Sequence, residues 1–115
     1  MAWAVLLLTA VLVLHLVEEV RAGFRTRFPL GEMPKWLFVG INAVIYSYCL
    51  TTFILALNGS LYALPFAWVL ALVMLANGVG RLWIMFRSGA YFPGGYSAIA
   101  LVAASLWLMR VLAGG

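Results

Sequence analysis

Residues 1–22 read MAWAVLLLTAVLVLHLVEEVRA. The first fourteen residues carry no charged side chain, and the run as a whole is long enough to cross a hydrocarbon core of ~30 Å as a helix of roughly 20 residues. Three further runs have the same character: about Lys35 to Leu57, about Leu61 to Arg87, and about Tyr96 to Ala113. No period-2 alternation marks a barrel strand, and a chain in lipid must satisfy its backbone polar groups within its own segments. The expected fold is therefore all-α, a four-transmembrane-helix bundle in which residues 1–115 form a single integral membrane domain.

Composition leads to the same class. Of 115 residues, 67% are hydrophobic and 9% charged, too little polar surface to cover a water-facing globule. The lipid bilayer is the expected surrounding partner. The net charge of +4 reads as a topology determinant rather than a nucleic-acid signal. Arg21, Arg25, Arg27 and Lys35 border the first loop and Arg87 the third, whereas Arg110 alone marks the opposite side. The positive-inside rule then puts both loops in the cytoplasm and both termini outside. A cleaved signal peptide has its basic residues ahead of the apolar run. Here they follow it, so the first span is expected to stay.

The connections look short. Asn58-Gly59-Ser60 suits a three-residue turn joining an antiparallel hairpin. The run Pro93-Gly94 suits a tight turn, with glycine supplying positive φ. The first loop, Gly23 to Pro34, with Arg25, Arg27, Glu32 and two prolines, reads as an interfacial segment. The tryptophans Trp3, Trp36, Trp68, Trp83 and Trp107 mostly fall toward span ends, as in an aromatic belt. Cys49 is expected to be a packed small hydrophobe.

Against this background the polar residues are expensive. An ionisable group at mid-bilayer costs ~2.5–3.5 kcal/mol, yet the first span carries His15, Glu18 and Glu19. Their i, i+3, i+4 spacing puts them on one helix face. Asn77 and Arg81 share a face of the third span, and Asn42 and Tyr46 a face of the second. At 1.5 Å per residue, His15 lies roughly 10 Å inside the cytoplasmic end, and the other groups, with Tyr91 and Ser97 at the start of the fourth span, fall in the same half. Stripes of this kind face a bundle interior, so a polar pocket centred on His15, Glu18, Glu19, Asn77 and Arg81 is expected there.

Three elements in this order, His15-Leu16-Val17-Glu18-Glu19 (H-x-x-E-E), Asn77 to Arg81 in the place of an N-x-x-x-H element, and Tyr91 to Ser97 (Y-x-P-G-x-x-S, where threonine is usual), resemble the HXXEE-motif family of small bacterial integral membrane proteins. The resemblance covers three of four spans. It implies a membrane-embedded, metal-dependent enzyme in which His15, Glu18 and Glu19 serve as metal ligands or acid–base groups. Asn77 would support them, and Tyr91, Pro93, Gly94 and Ser97 would shape the mouth. The second histidine is Arg81 here. Arginine stays protonated and does not ligate a metal, so a divalent metal loses one expected ligand.

Three functions follow. The first is an enzyme acting on an amphiphilic or lipid-like molecule, with His15, Glu18, Glu19 and Arg81 catalytic and Asn42, Tyr46, Asn77, Tyr91, Pro93, Gly94 and Ser97 binding the ligand. The second is a proton-coupled small transporter or ligand-binding membrane protein. The third is a structural ion pair of Arg81 with Glu18 or Glu19. No nucleic acid is expected as a partner, and a homo-oligomer is compatible with the chain.

Overall fold

The computed structural model describes residues 1–26 and 31–114. Four helices form: α1 (Ala2–Ala22), α2 (Lys35–Leu57), α3 (Ala63–Ser88) and α4 (Gly95–Leu112). A short 3-10 turn, Phe24–Thr26, follows α1. No strand occurs among the described residues. Each helix is long and apolar enough to cross a membrane. The 21 residues of α1 rise about 32 Å at 1.5 Å each, close to the thickness of a hydrocarbon core.

The helices close a ring in which α4 packs tightly between α1 and α3, and α2 leans on α1 and α3 from the other side. Small residues permit the tight seam. A Cβ on Gly78 of α3 would stand 2.7 Å from Val102 Cγ2 and 3.1 Å from the Ala98 carbonyl oxygen of α4. Leu8, Leu70, Met74, Leu101 and Leu108 fill the centre, and Cys49 is buried there as well. By contrast, α2 buries only Cys49 and Thr52. Two tyrosine hydroxyls peg it in place: Tyr46 donates to the Leu12 carbonyl of α1 and Tyr48 to the Phe66 carbonyl of α3, each at 2.8 Å. The outward faces are apolar, with Trp3, Trp36, Leu61 and Phe86 among the most exposed side chains, as a lipid-facing surface requires.

Two connections refine the sequence reading. The α2–α3 turn runs over five residues rather than three: the Ser60 hydroxyl accepts the Tyr62 N–H at 3.2 Å, and α3 starts at Ala63 with Tyr62 as its N-cap. The α3–α4 turn follows expectation. Gly94 adopts φ 90°, ψ −4°, and the Gly95 N–H reaches the Phe92 carbonyl at 2.9 Å, which is a type II turn with Pro93 and Gly94 at its centre. Of the interfacial segment expected over Gly23 to Pro34, Arg27 and its neighbours to position 30 lie outside the described residues.

Candidate functional site

The C-terminal half of α1, the N-terminal half of α2, the C-terminal half of α3 and the start of α4 meet at one end of the ring. The adjacent glutamates of α1 part company there. Successive helical residues point about 100° apart, so Glu18 turns toward α4 and Glu19 toward α3.

Glu18 caps a helix that has no cap of its own. The N-cap of α4 is Gly94, which offers no side chain. Instead, Glu18 Oε1 accepts the Ser97 N–H at 2.7 Å, Oε2 accepts the Tyr96 N–H at 3.1 Å, and the Tyr91 hydroxyl donates to Oε2. A carboxylate at a helix N-terminus satisfies orphan donors and meets the positive end of the helix dipole. Loss of water around the Tyr91 hydroxyl, and then its bond to Glu18, push that phenol up to about 12. The hydroxyl keeps its proton, and its bond to Glu18, well into the alkaline range.

Glu19 is 5% exposed and pairs with α3. Its Oε2 accepts Arg81 Nη2 at 2.8 Å and Nε at 3.3 Å, and the guanidinium stacks over Phe24 at 4.6 Å from the ring centroid. The same oxygen is 3.6 Å from His15 Nε2. That separation allows electrostatic contact but is too long for a hydrogen bond.

His15, the one histidine of the chain, is 1% exposed. Its Nδ1 lies 2.7 Å from Ser97 Oγ. A hydroxyl both donates and accepts, so this contact survives in either imidazole tautomer and in the imidazolium. Nε2 makes no hydrogen bond of good geometry, and neither does the buried Oδ1 of Asn77, a side-chain group the imidazole could bond. Gly94 covers the ring: a Cβ there would stand 2.8 Å from His15 Cε1 and 3.1 Å from Glu19 Cγ.

These groups open on a cleft of about 240 Å³ between α1, α2 and α3, where His15, Glu19, Asn42, Asn77 and Arg81 supply the polar lining and Leu12, Ile41 and Ile45 part of the apolar walls. Asn42 reaches it with its Nδ2 bonded to the Phe38 carbonyl at 2.9 Å. Tyr46 is spent on the Leu12 carbonyl and does not line the cleft. Nor do Tyr91, Pro93, Gly94 and Ser97 line it. Pro93, Gly94 and Ser97 sit on the α4 side of His15 and Glu19, whereas Tyr91 lines open surface grooves with Glu18 and with Phe86. Phe24, Met33 and Phe38 complete the cleft, and none of these was singled out by the sequence. The usable signal was Gly23, whose φ of 76° ends α1 and folds Phe24 back over the site.

The three-ligand metal set of His15, Glu18 and Glu19 is not assembled. Among the described residues, no group of three or more His, Cys, Asp or Glu side chains is placed to hold a metal. The reason is local. The α4 N-terminus takes both Glu18 oxygens, and Arg81 occupies the Glu19 oxygen nearest the imidazole.

No family model, curated protein or solved structure matches the chain.

Proposed function

We propose that this chain is a membrane-embedded enzyme that carries out acid–base chemistry on an amphiphilic, lipid-like substrate in the α1–α2–α3 cleft. The observation that carries the reading is the unpartnered, buried Nε2 of His15 beside a cavity it shares with Glu19, Asn77 and Arg81. A buried polar atom without a partner costs about 1–3 kcal/mol, and a substrate group bound there would offset that cost.

The chemistry follows from the contacts. His15 gives or receives a proton at Nε2. Ser97 holds Nδ1 in every protonation state, so the ring need not turn. Glu19, 3.6 Å away, stabilises the imidazolium, and Arg81 balances the carboxylate when the imidazole is neutral. Asn77 Oδ1 accepts a hydrogen bond from a substrate hydroxyl or amide. No step runs through a metal, because the ligand set is not assembled. The ordered H-x-x-E-E, Asn77–Arg81 and Tyr91–Ser97 elements, with their resemblance to the HXXEE-motif family, support a bacterial membrane location. The basic bias of the two loops on the site's side supports a cytoplasmic-facing cleft with both termini outside.

The test is turnover in vesicles of bacterial polar lipids, with products followed by mass spectrometry. Positioned proton transfer contributes roughly 10²–10⁴-fold, and His15→Ala should lose a factor of that order. Conversion that His15→Ala leaves unchanged, or no conversion at all, overturns the reading. Substrate-driven proton flux without conversion would replace it with proton-coupled transport.

A further inference from the structure

A second cavity, of about 400 Å³, borders the cleft, and Glu19, Phe24 and Phe38 line both. Its outer part is basic: Arg25 and Lys35 line it together with Thr26. Its rim includes Val20 and Val39, both more than half exposed on the outward, apolar surface.

One of the two cations at this vestibule, Lys35, has no acidic partner among the described residues. Lys35 is the first residue of α2, and that helix has neither an acidic residue in its first turn nor a side-chain cap. A cation at a helix N-terminus opposes the dipole. The chain contains three acidic residues, Glu18, Glu19 and Glu32. Glu18 is committed to the start of α4, Glu19 to Arg81, and Glu32 to Arg25 at 3.2 Å. Among the described residues none is left for Lys35. Beyond the shared wall of Glu19, Phe24 and Phe38, the adjoining cleft holds the buried His15 Nε2 and Asn77 Oδ1, so an anion site outside adjoins hydrogen-bonding groups inside.

We infer that the vestibule receives the anionic headgroup of a membrane lipid. Lys35 meets the phosphate beside the Glu32-paired Arg25, the acyl chains stay in the bilayer along Val20 and Val39, and the headgroup-proximal bonds lie against Phe24 and Phe38 at the wall of the cleft. A volume of about 240 Å³ admits only part of such a lipid, consistent with chains left outside. This inference rests on the proposed function and names its substrate class as anionic phospholipid.

The experiment is native mass spectrometry of the full chain in detergent with equimolar phosphatidylglycerol and phosphatidylcholine. The wild type retains phosphatidylglycerol preferentially. Lys35→Gln lowers that preference about fivefold, the worth of one basic residue at an anionic lipid surface, while Arg110→Gln, at the far end of α4, leaves it intact. His15→Ala keeps the preference although it loses turnover, so failure of the headgroup site and failure of the acid–base reading show separately. Equal retention of both lipids by the wild type, or a preference that survives Lys35→Gln, overturns the inference. Displacement of the lipid by equimolar inorganic phosphate would also overturn it, assigning the vestibule to the free anion.

Discussion

The Glu18 carboxylate of α1 accepts the Ser97 backbone N–H of α4 at 2.7 Å, whereas its neighbour Glu19 bonds Arg81 of α3 at 2.8 Å. Two adjacent, chemically identical residues thus do unlike work: one secures a helix end, the other charges a cleft. Substitution at Glu18 should read as lost stability. Removing a helix cap costs about 1 kcal/mol, so Glu18→Ala should lower the unfolding midpoint in detergent while activity below that midpoint persists. Glu18→Gln, which keeps an acceptor oxygen, should fall between.

Glu19 and Arg81 should behave as a coupled pair. Breaking a buried ion pair from one side costs about 3–5 kcal/mol, because the remaining charge is left uncompensated, whereas replacing both partners with apolar residues is often near neutral. Arg81 retains some exposure, which favours the lower end. Glu19→Leu alone should therefore destabilise strongly, and Glu19→Leu with Arg81→Met should recover most of the loss. A double-mutant cycle by unfolding titration measures the coupling. Turnover should not recover with stability, since the double variant lacks both charges of the cleft.

Gly94 should tolerate no side chain. It sits at φ 90°, and a Cβ there would crowd His15 and Glu19 at 2.8 and 3.1 Å. A non-glycine residue in such a backbone region costs about 1–3 kcal/mol before any clash is counted. Gly94→Ala should lower thermal stability and, by shifting the imidazole, reduce turnover beyond what the stability loss explains. Circular-dichroism melting beside activity at low temperature separates the two effects.

Stability should also fall in alkali through Tyr91. Its ordinary value is 10.0, and in the folded chain it rises to about 12, first through burial and then through its bond to Glu18. The folded state therefore holds a proton that the unfolded state has released. This contribution is intact below pH 10 and is lost as pH climbs from 10 to 12. Tyr91→Phe should flatten the decline in that window, as measured by unfolding at stepped pH.

The sequence carried the four spans plainly, because apolar runs of helix length have few other readings. It also placed the polar groups at one end by counting residues from the loops, and His15, Glu19, Asn42, Asn77 and Arg81 do line one cleft. The partition of Glu18 from Glu19 was not legible. Spacings of i+3 and i+4 from His15 set both on one broad face, and only the neighbouring helices decide which carboxylate meets an N-terminus and which a guanidinium. The same blindness hid the metal question, since a ligand set depends on which side chains are already occupied. Tyr46 shares a helix face with Asn42, but its longer side chain reaches a carbonyl on α1. The α2–α3 turn extends past Ser60 to Tyr62, and the apolar Leu61 and Tyr62 read in the sequence as part of the third span.

The division of labour between the two glutamates can be read directly in lipid bilayers, because the chain holds a single imidazole. The measurement is nitrogen–carbon dipolar recoupling by solid-state NMR from His15 Nε2 to the glutamate side-chain carboxyl carbons. Strong dephasing that survives Glu18→Ala and vanishes in Glu19→Ala is the expected result. Dephasing that vanishes in Glu18→Ala and persists in Glu19→Ala would contradict the account.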